Sequence, residues 1–570
     1  MERRMLLAFA LTFLAIFGSQ QIMSRYFKPP QPVRTPAPVS AAAPPAGAAP
    51  AESLDAGAPA QPPSTVPVKQ GSAESETVVE NELYRITFTN RGAQVKSWVL
   101  KKYDDENGKP LDLVNKNVAA TNGYPLSLWT YDEPLRKKLN ESLFVAEPQG
   151  TLRAPGTVAF DYSSGDLMVH KSFTFDDSYV VKLETSVTQK GSPVAAFPAW
   201  PSSFGDQATV TSYAATKIDW MQGQDVQRVA AKKISGGSTI SGPFSWAGVV
   251  GSYFAAIFLP DNPDTSALVT LHSPILIPKD PKKSDSEPTK VSLLGAAVGG
   301  GANGITRERL FVGPKNFDVL EQVRASAQGG SVDITGVVDF GMFKLIAKPL
   351  FLWLNWTEQH WVHNWGWSIC ILTLIINLAL WPLRMSSMKS SQKMQKVQPQ
   401  VNAIKEKYKK YKLTDPRQAE KNQEIQEIMK REGVNPVGGC LPMLIQFPFL
   451  IAFYAMLGNA IELRQAHWLW VKDLSAPDPW HLLPILIVIS MIAMQRLTPQ
   501  PGIDPAQQKM MMLMMPAMMG YFSWYMAAGV SLYWVLGNIL GSAQQLWMNY
   551  NTRRGNPPAE IVVKGKPKKR

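Results

Sequence analysis

The side chains in this sequence with most to offer chemically are polar ones set inside apolar runs. Thr373, Asn377 and Arg384 stand at i, i+4 and i+11 in the run that follows Trp367, a spacing that puts all three on one face of a helix. Gln446, Gln495, Ser523, Ser531, Tyr533, Asn538 and Ser542 hold comparable positions in later apolar runs. An unsatisfied polar group in hydrocarbon is costly. Such residues therefore either bond one another between helices or line a hydrated recess, and for any one of them alone both roles stay open. Conventional catalysis finds no support. Cys370 and Cys440 lie in apolar surroundings outside any CxxC or Cys/His spacing. The histidines and acids are scattered, with no nucleophile elbow or phosphate loop. No catalytic residue, metal ligand or cofactor is expected, and the chain reads as a non-enzyme.

The elements that must position these residues follow from charge and hydropathy. Of 570 residues, 58 are Lys or Arg and 45 are Asp or Glu, a net charge of +13. The basic clusters, between Arg384 and Arg431 and from Arg553 to Arg570, flank apolar runs, which favours anionic lipid over nucleic acid. Residues 1–28 carry Arg3 and Arg4 ahead of the apolar run Met5–Phe17, followed by Gly18-Ser-Gln20, a poor cleavage site. They read as a transmembrane anchor. Residues 29–76 are a Pro/Ala-rich tether that cannot bury a core. From 77 to 337, short β-branched and aromatic runs predict an all-β sandwich: Thr77–Val79, Leu83–Phe88, Val95–Leu100, Lys171–Phe175, Tyr179–Val187, Val249–Leu259 and Ala267–Leu271.

Residues 338–360 predict an amphipathic helix lying in the headgroup region. Lys344 and Lys348 share one face, Phe343, Ile346, Leu350, Phe351 and Leu354 the other, with Trp353 and Trp356 near its end. Residues 361–550 hold five apolar runs: Trp367–Leu383, Leu441–Ile461, Leu482–Met494, Met510–Ala527 and Val530–Trp547. Some are short for a hydrocarbon core of roughly 30 Å, which local thinning of the bilayer accommodates. With the anchor this makes six spans. Six place Arg3 and Arg4, the basic loop 384–431 and the basic tail 551–570 all in the cytoplasm, and residues 29–360 outside. A seventh span at 340–356 would put the most basic loop on the wrong side.

The cytoplasmic loop 385–433 predicts an antiparallel helical hairpin. Val397, Val401, Ile404, Tyr408 and Tyr411 repeat at 4, 3, 4, 3; Thr414-Asp415-Pro416 is a helix start with proline first; Ile425, Ile428 and Met429 supply the facing stripe before Gly433 and Pro436. Lys405, Lys407, Lys409, Lys410 and Lys412 are candidate contacts for a client, a ribosome or anionic lipid, and equally suit a solvated face obeying the positive-inside rule.

At this point the residues resemble a known family. Asn364-Trp-Gly-Trp-Ser368, Trp381-Pro-Leu383, Gln398-Pro399, Val434-Asn-Pro-Val-Gly-Gly-Cys-Leu-Pro442, Leu444-Ile-Gln446 with Pro448, Glu462-Leu-Arg464, Asp473-Leu-Ser475 and Asp504-Pro505 with Gln507-Gln-Lys509 are similar to the YidC/Oxa/Alb insertase family. The match runs over about 340–550. The N-terminal parts, with Thr89-Asn-Arg-Gly92 and Val312-Gly-Pro-Lys315, resemble its Gram-negative form. The resemblance implies a polytopic α-helical membrane protein of the inner membrane. Its fold would be a five-helix insertase bundle with a hydrophilic groove, plus a periplasmic β-sandwich domain. It implies, as partners, nascent membrane proteins, the Sec translocon and membrane lipids, and a role needing no ATP of its own. One departure matters: the family usually carries arginine or lysine where this chain has Asn377. Arg384, two turns on, is expected to compensate by reaching inward.

Met510–Met519 and Met526 offer an adaptable apolar surface for clients, or packing for lipid and neighbouring helices. A secondary transporter, or a membrane anchor for the β domain, are the rival functions. Neither fits well: no internal repeat is visible, and one span would suffice for an anchor.

Overall fold

The computed structural model describes residues 68–279, 286–300, 304–327, 329–411, 415–433, 441–497 and 505–555. The expected anchor and most of the tether and of the basic tail lie outside them. Residues 68–75, assigned to the tether from sequence, instead pack on the β domain. Lys69 bridges to Ser163 and its Nζ reaches Asp161 at 2.6 Å, while Gly71 N donates to Leu143 O.

From Glu76 to Asp333 the chain is built of strands with a few short helices between them. A ten-stranded sheet is flanked by two five-stranded sheets. Alternation explains why. In Leu167–Phe175 every second side chain is buried, and Phe173 meets Phe88 of one flanking sheet at 5.1 Å between ring centroids. Lys171 sits on that inward face, and its Nζ donates to the carbonyls of Gly92, Ala93 and Leu126, pinning the Asn90-Arg-Gly92 turn. Val249–Leu259, expected as one run, is two antiparallel strands, Trp246–Val250 and Phe254–Pro260, turned at Gly251. Both are buried on both faces, so neither strand shows the alternation of buried and exposed residues that would separate them.

Eight helices follow, named here α1 (Lys344–Thr357), α2 (Trp365–Ala379), α3 (Trp381–Lys407), α4 (Arg417–Arg431), α5 (Leu441–Asn459), α6 (Leu482–Leu497), α7 (Pro505–Ser523) and α8 (Ala528–Gly555). α1 keeps Lys344 and Lys348 exposed and buries Leu350, Phe351 and Leu354, as its pattern predicts. Its buried face packs on α5 and on Phe317 of the β domain, whose ring lies 5.8 Å from Phe351. A π-helical turn, Glu358–Val362, and left-handed His363 then bend the chain by 117° into α2. Asn364 caps α2 by accepting from Trp367 N and donating to His467 O.

Two expectations need correction here. The run 367–383 is not one helix. α2 ends at Ala379 and α3 starts at Trp381, because Pro382 has no N–H for the Leu378 carbonyl and its ring crowds that oxygen. The hairpin therefore begins at Trp381 rather than 385. Its apolar seam is as expected: Met394, Val397 and Val401 meet Ile425, Ile428 and Met429. α4 opens at Arg417, one residue after Pro416, and Asp415 Oδ1 accepts from Arg417 N. It closes at Gly433, whose φ of +61° suits glycine. α8 sits centrally, packed on α2, α5 and α6, with α7 beyond α6. Among the described residues no single helix is both long and apolar enough to cross a membrane.

Candidate functional site

The polar residues singled out above divide by what their side chains bond. Thr373 and Asn377 on α2 are buried, and each donates within its own helix, Thr373 Oγ1 to Ile369 O at 2.6 Å and Asn377 Nδ2 to Thr373 O at 2.7 Å. Neither joins two helices. Ser523 on α7 behaves likewise, its Oγ reaching Gly520 O at 2.9 Å. Asn538 does bridge helices, donating from α8 to Ser490 Oγ on α6 at 3.0 Å. Tyr533 on α8 is buried with its ring stacked on Phe453 of α5, 4.1 Å between centroids. Ser531 is buried, while Ser542 and Gln495 are half-buried. The Gln446 side chain lies outside the described residues, as does Lys412.

Four buried side-chain atoms on α2 and α8 have no hydrogen-bond partner among the described residues: Asn377 Oδ1, Ser531 Oγ, Ser542 Oγ and Gln545 Oε1. Leaving a buried polar atom unbonded costs about 1–3 kcal/mol. Three of the four lie on α8, where a polar face runs along the helix. Asn538, Ser542, Gln545 and Asn549 follow at spacings of 4, 3 and 4, and Gln545 Nε2 donates to Asn549 Oδ1 at 2.9 Å. Gln544, Gln545, Asn549 and Ser490 were not singled out from the sequence; the 4, 3, 4 spacing was the signal available.

Arg384 is 8% exposed, on the first turns of α3 rather than on the helix of Thr373 and Asn377. The break at Leu380 still leaves it turned inward. Its Nη1 donates to Gln544 Oε1 at 3.3 Å. Gly541 lies beside it, where an added Cβ would be in ordinary contact with Nη1 at 3.6 Å and crowd Met494 Cε at 3.1 Å. The sequences of α2, α5, α6, α7 and α8 contain no Asp or Glu.

On the hairpin, Lys407 pairs with Glu424 at 2.7 Å and Lys409 with Glu406 at 3.1 Å. Lys410 is exposed and Lys405 half-buried. The basic surface is thus partly neutralised by its own glutamates. The methionines of α7 from Met510 to Met519 are all half-buried, touching both protein and surroundings.

Comparison with known proteins agrees with this division into a β part and a helical part. A family model of the 60Kd inner membrane protein matches residues 356–555, and one of the YidC periplasmic domain matches 76–353. The membrane protein insertase YidC of Syntrophus aciditrophicus (strain SB) is 32% identical over 573 residues, covering 96% of this chain and 99% of that protein. That of Geobacter metallireducens is 30% identical over 568 residues, covering 96% and 98%. A crystal structure of an active YidC insertase with its first transmembrane domain resolved aligns over 84% of this chain and 94% of that one, at 18% identity and a TM-score of 0.34. With curated relatives matched almost end to end and both halves covered by the two family models, the chain belongs to the YidC family of membrane protein insertases.

Proposed function

We propose that this chain moves hydrophobic segments of newly made proteins into the bacterial inner membrane through a polar recess beside α2 and α8, alone or with the Sec translocon. The observation that carries this is the set of four buried polar atoms without a hydrogen-bond partner among the described residues, Asn377 Oδ1, Ser531 Oγ, Ser542 Oγ and Gln545 Oε1. Buried polar atoms of native proteins are nearly always bonded. Four of them on two neighbouring helices suit a surface that water, or the polar flank of a passing client, satisfies. The client's apolar segment then leaves sideways into lipid, and the flank crosses a shortened hydrocarbon path. No bond is made or broken, so the work is that of a chaperone rather than an enzyme.

In this proposal α2, α5, α6, α7 and α8 are spans, joined by the N-terminal anchor to make six. Both termini and the hairpin are cytoplasmic, and residues 29–360 lie in the periplasm. Arg384 supplies the recess with positive charge from its cytoplasmic mouth, and the hairpin lysines receive clients or a ribosome. Water access is the direct test. In a chain with Cys370→Ser and Cys440→Ser, single cysteines at Asn377→Cys and Ser531→Cys should react with a water-soluble maleimide in native membranes. Labelling no faster than that of a lipid-facing Leu374→Cys would overturn the proposal.

A further inference from the structure

Between the β domain and the bundle lies a polar contact that includes buried ionisable groups. After α5 the chain makes a short turn, Ile461–Leu463, with Ile461 and Leu463 buried. Glu462, between them, accepts at Oε1 from Asn316 Nδ2 at 3.0 Å and from Phe317 N at 3.3 Å, both of the β domain. Its Oε2 is buried with no hydrogen-bond partner among the described residues. Two residues on, Arg464 donates Nη2 to Asp104 O at 2.7 Å and lies over the Phe254 ring, while its Nη1 is buried without a hydrogen bond among the described residues. Gln465 adds bonds to the carbonyls of Asp104 and Asp105, and Asn459 one to Asp339 O. Asp206 of the β domain is within electrostatic reach of Arg464, and its Oδ1 is likewise sealed and unbonded.

We propose that this contact is a proton-sensitive latch: protonation of Glu462 holds the β domain on the α5–α6 loop, and its ionisation loosens it. A carboxylate that keeps one oxygen buried and unbonded favours its neutral form there and its charged form in water. Burial pushes Glu462 up to about 7, opposed by the backbone bonds it accepts and by Lys315, and assisted by Asp318. Burial raises Asp206 to about 6 against Arg464 and Lys315. Tyr103 faces both Glu462 and Arg464, and Tyr253 bonds Ser475 with Asp473, Arg464 and Asp206 around it. Lys315 is itself lowered to about 8 by burial, and its Nζ bonds run to Gly251 and Ser252 within the β domain.

The sign follows from linkage. Glu462 titrates higher when docked than free, so docking binds a proton and weakens as pH rises through the docked value. Moving Glu462 from 4.5 to about 7 on docking makes closure about tenfold weaker at pH 8 than at pH 6. The experiment is hydrogen–deuterium exchange on the full chain in nanodiscs, corrected for intrinsic exchange, following the segments 459–466 and 313–320. Protection should fall about tenfold from pH 6 to pH 8 in the native chain. In Glu462→Gln, which keeps the Asn316 and Phe317 bonds, most of that fall should be gone. Protection unchanged with pH in the native chain would overturn the latch, as would a Glu462→Gln variant that keeps the full fall. The native profile alone decides the matter if the variant does not fold.

Discussion

Asn377 and Arg384 are where the chain departs most from its relatives' pattern, and the structure separates their parts. Asn377 spends its donor on its own helix and leaves Oδ1 unbonded among the described residues, so it contributes nothing to helix–helix adhesion. Replacing an orphaned polar group by an apolar one of similar size is neutral or stabilising. Asn377→Leu should therefore leave thermal unfolding unchanged or raise stability by about 1 kcal/mol, while insertion of clients with polar flanks falls several-fold. A loss of stability together with activity would identify Asn377 as glue. Arg384 is buried and donates Nη1 to the neutral Gln544 amide of α8. Arg384→Ala should slow insertion of clients with acidic flanks more than of neutral ones, measured side by side in proteoliposomes; equal slowing would remove its electrostatic part. Thr373, Asn377 and Ser531 were legible because a polar residue in an apolar run stands out. Gln544 and Gln545 were not, because they sit where the helix nears its basic end and polarity is unremarkable there.

At the level of elements, the hairpin was the most readable part of the chain. A 4, 3 repeat of Val and Ile between lysines has one solution, and α3 and α4 adopt it. What periodicity did not reveal was the break at Leu380. Proline in the first turn of a helix is compatible with helix, so Trp381-Pro-Leu383 reads as continuation as easily as restart. The Val249–Leu259 hairpin was hidden for a related reason: buried on both faces, its strands lack the alternation that marks a half-buried sheet. The break has a consequence for function, since α3 carries Arg384 at one end and the hairpin seam at the other. Deleting Val397–Met429 with a short linker should leave the bundle folded by circular dichroism yet sharply lower insertion. Unchanged insertion would reduce the hairpin to a connection. Charge reversal at Lys405, Lys407, Lys409 and Lys410 should act more mildly and fade with salt, because exposed charges are screened over about 8 Å and two of these lysines already face glutamates.

On the scale of the whole molecule, two bodies of different kinds share one chain. The β domain is built of packed sheets, whereas Asn377, Ser531, Ser542 and Gln545, the unbonded polar groups of the proposed route, lie on helices. Deleting about residues 77–330 while keeping α1 should therefore leave substantial insertion in a reconstituted assay. It should also lower the melting temperature of the bundle, since Glu462 and Arg464 lose Asn316, Phe317 and Asp104. Complete loss of insertion in a correctly folded bundle would contradict this division of labour. The central claim is that clients pass along the α2–α8 face, and photocrosslinking during synthesis tests it most directly. A photoreactive residue at Asn377, with Leu374 on the outer face of the same helix as control, is placed in the full chain while a small membrane protein is translated. Crosslinks to the nascent chain from 377, appearing as its hydrophobic segment emerges and vanishing on release, are the predicted result; crosslinks from 377 only to lipid or small solutes would contradict it.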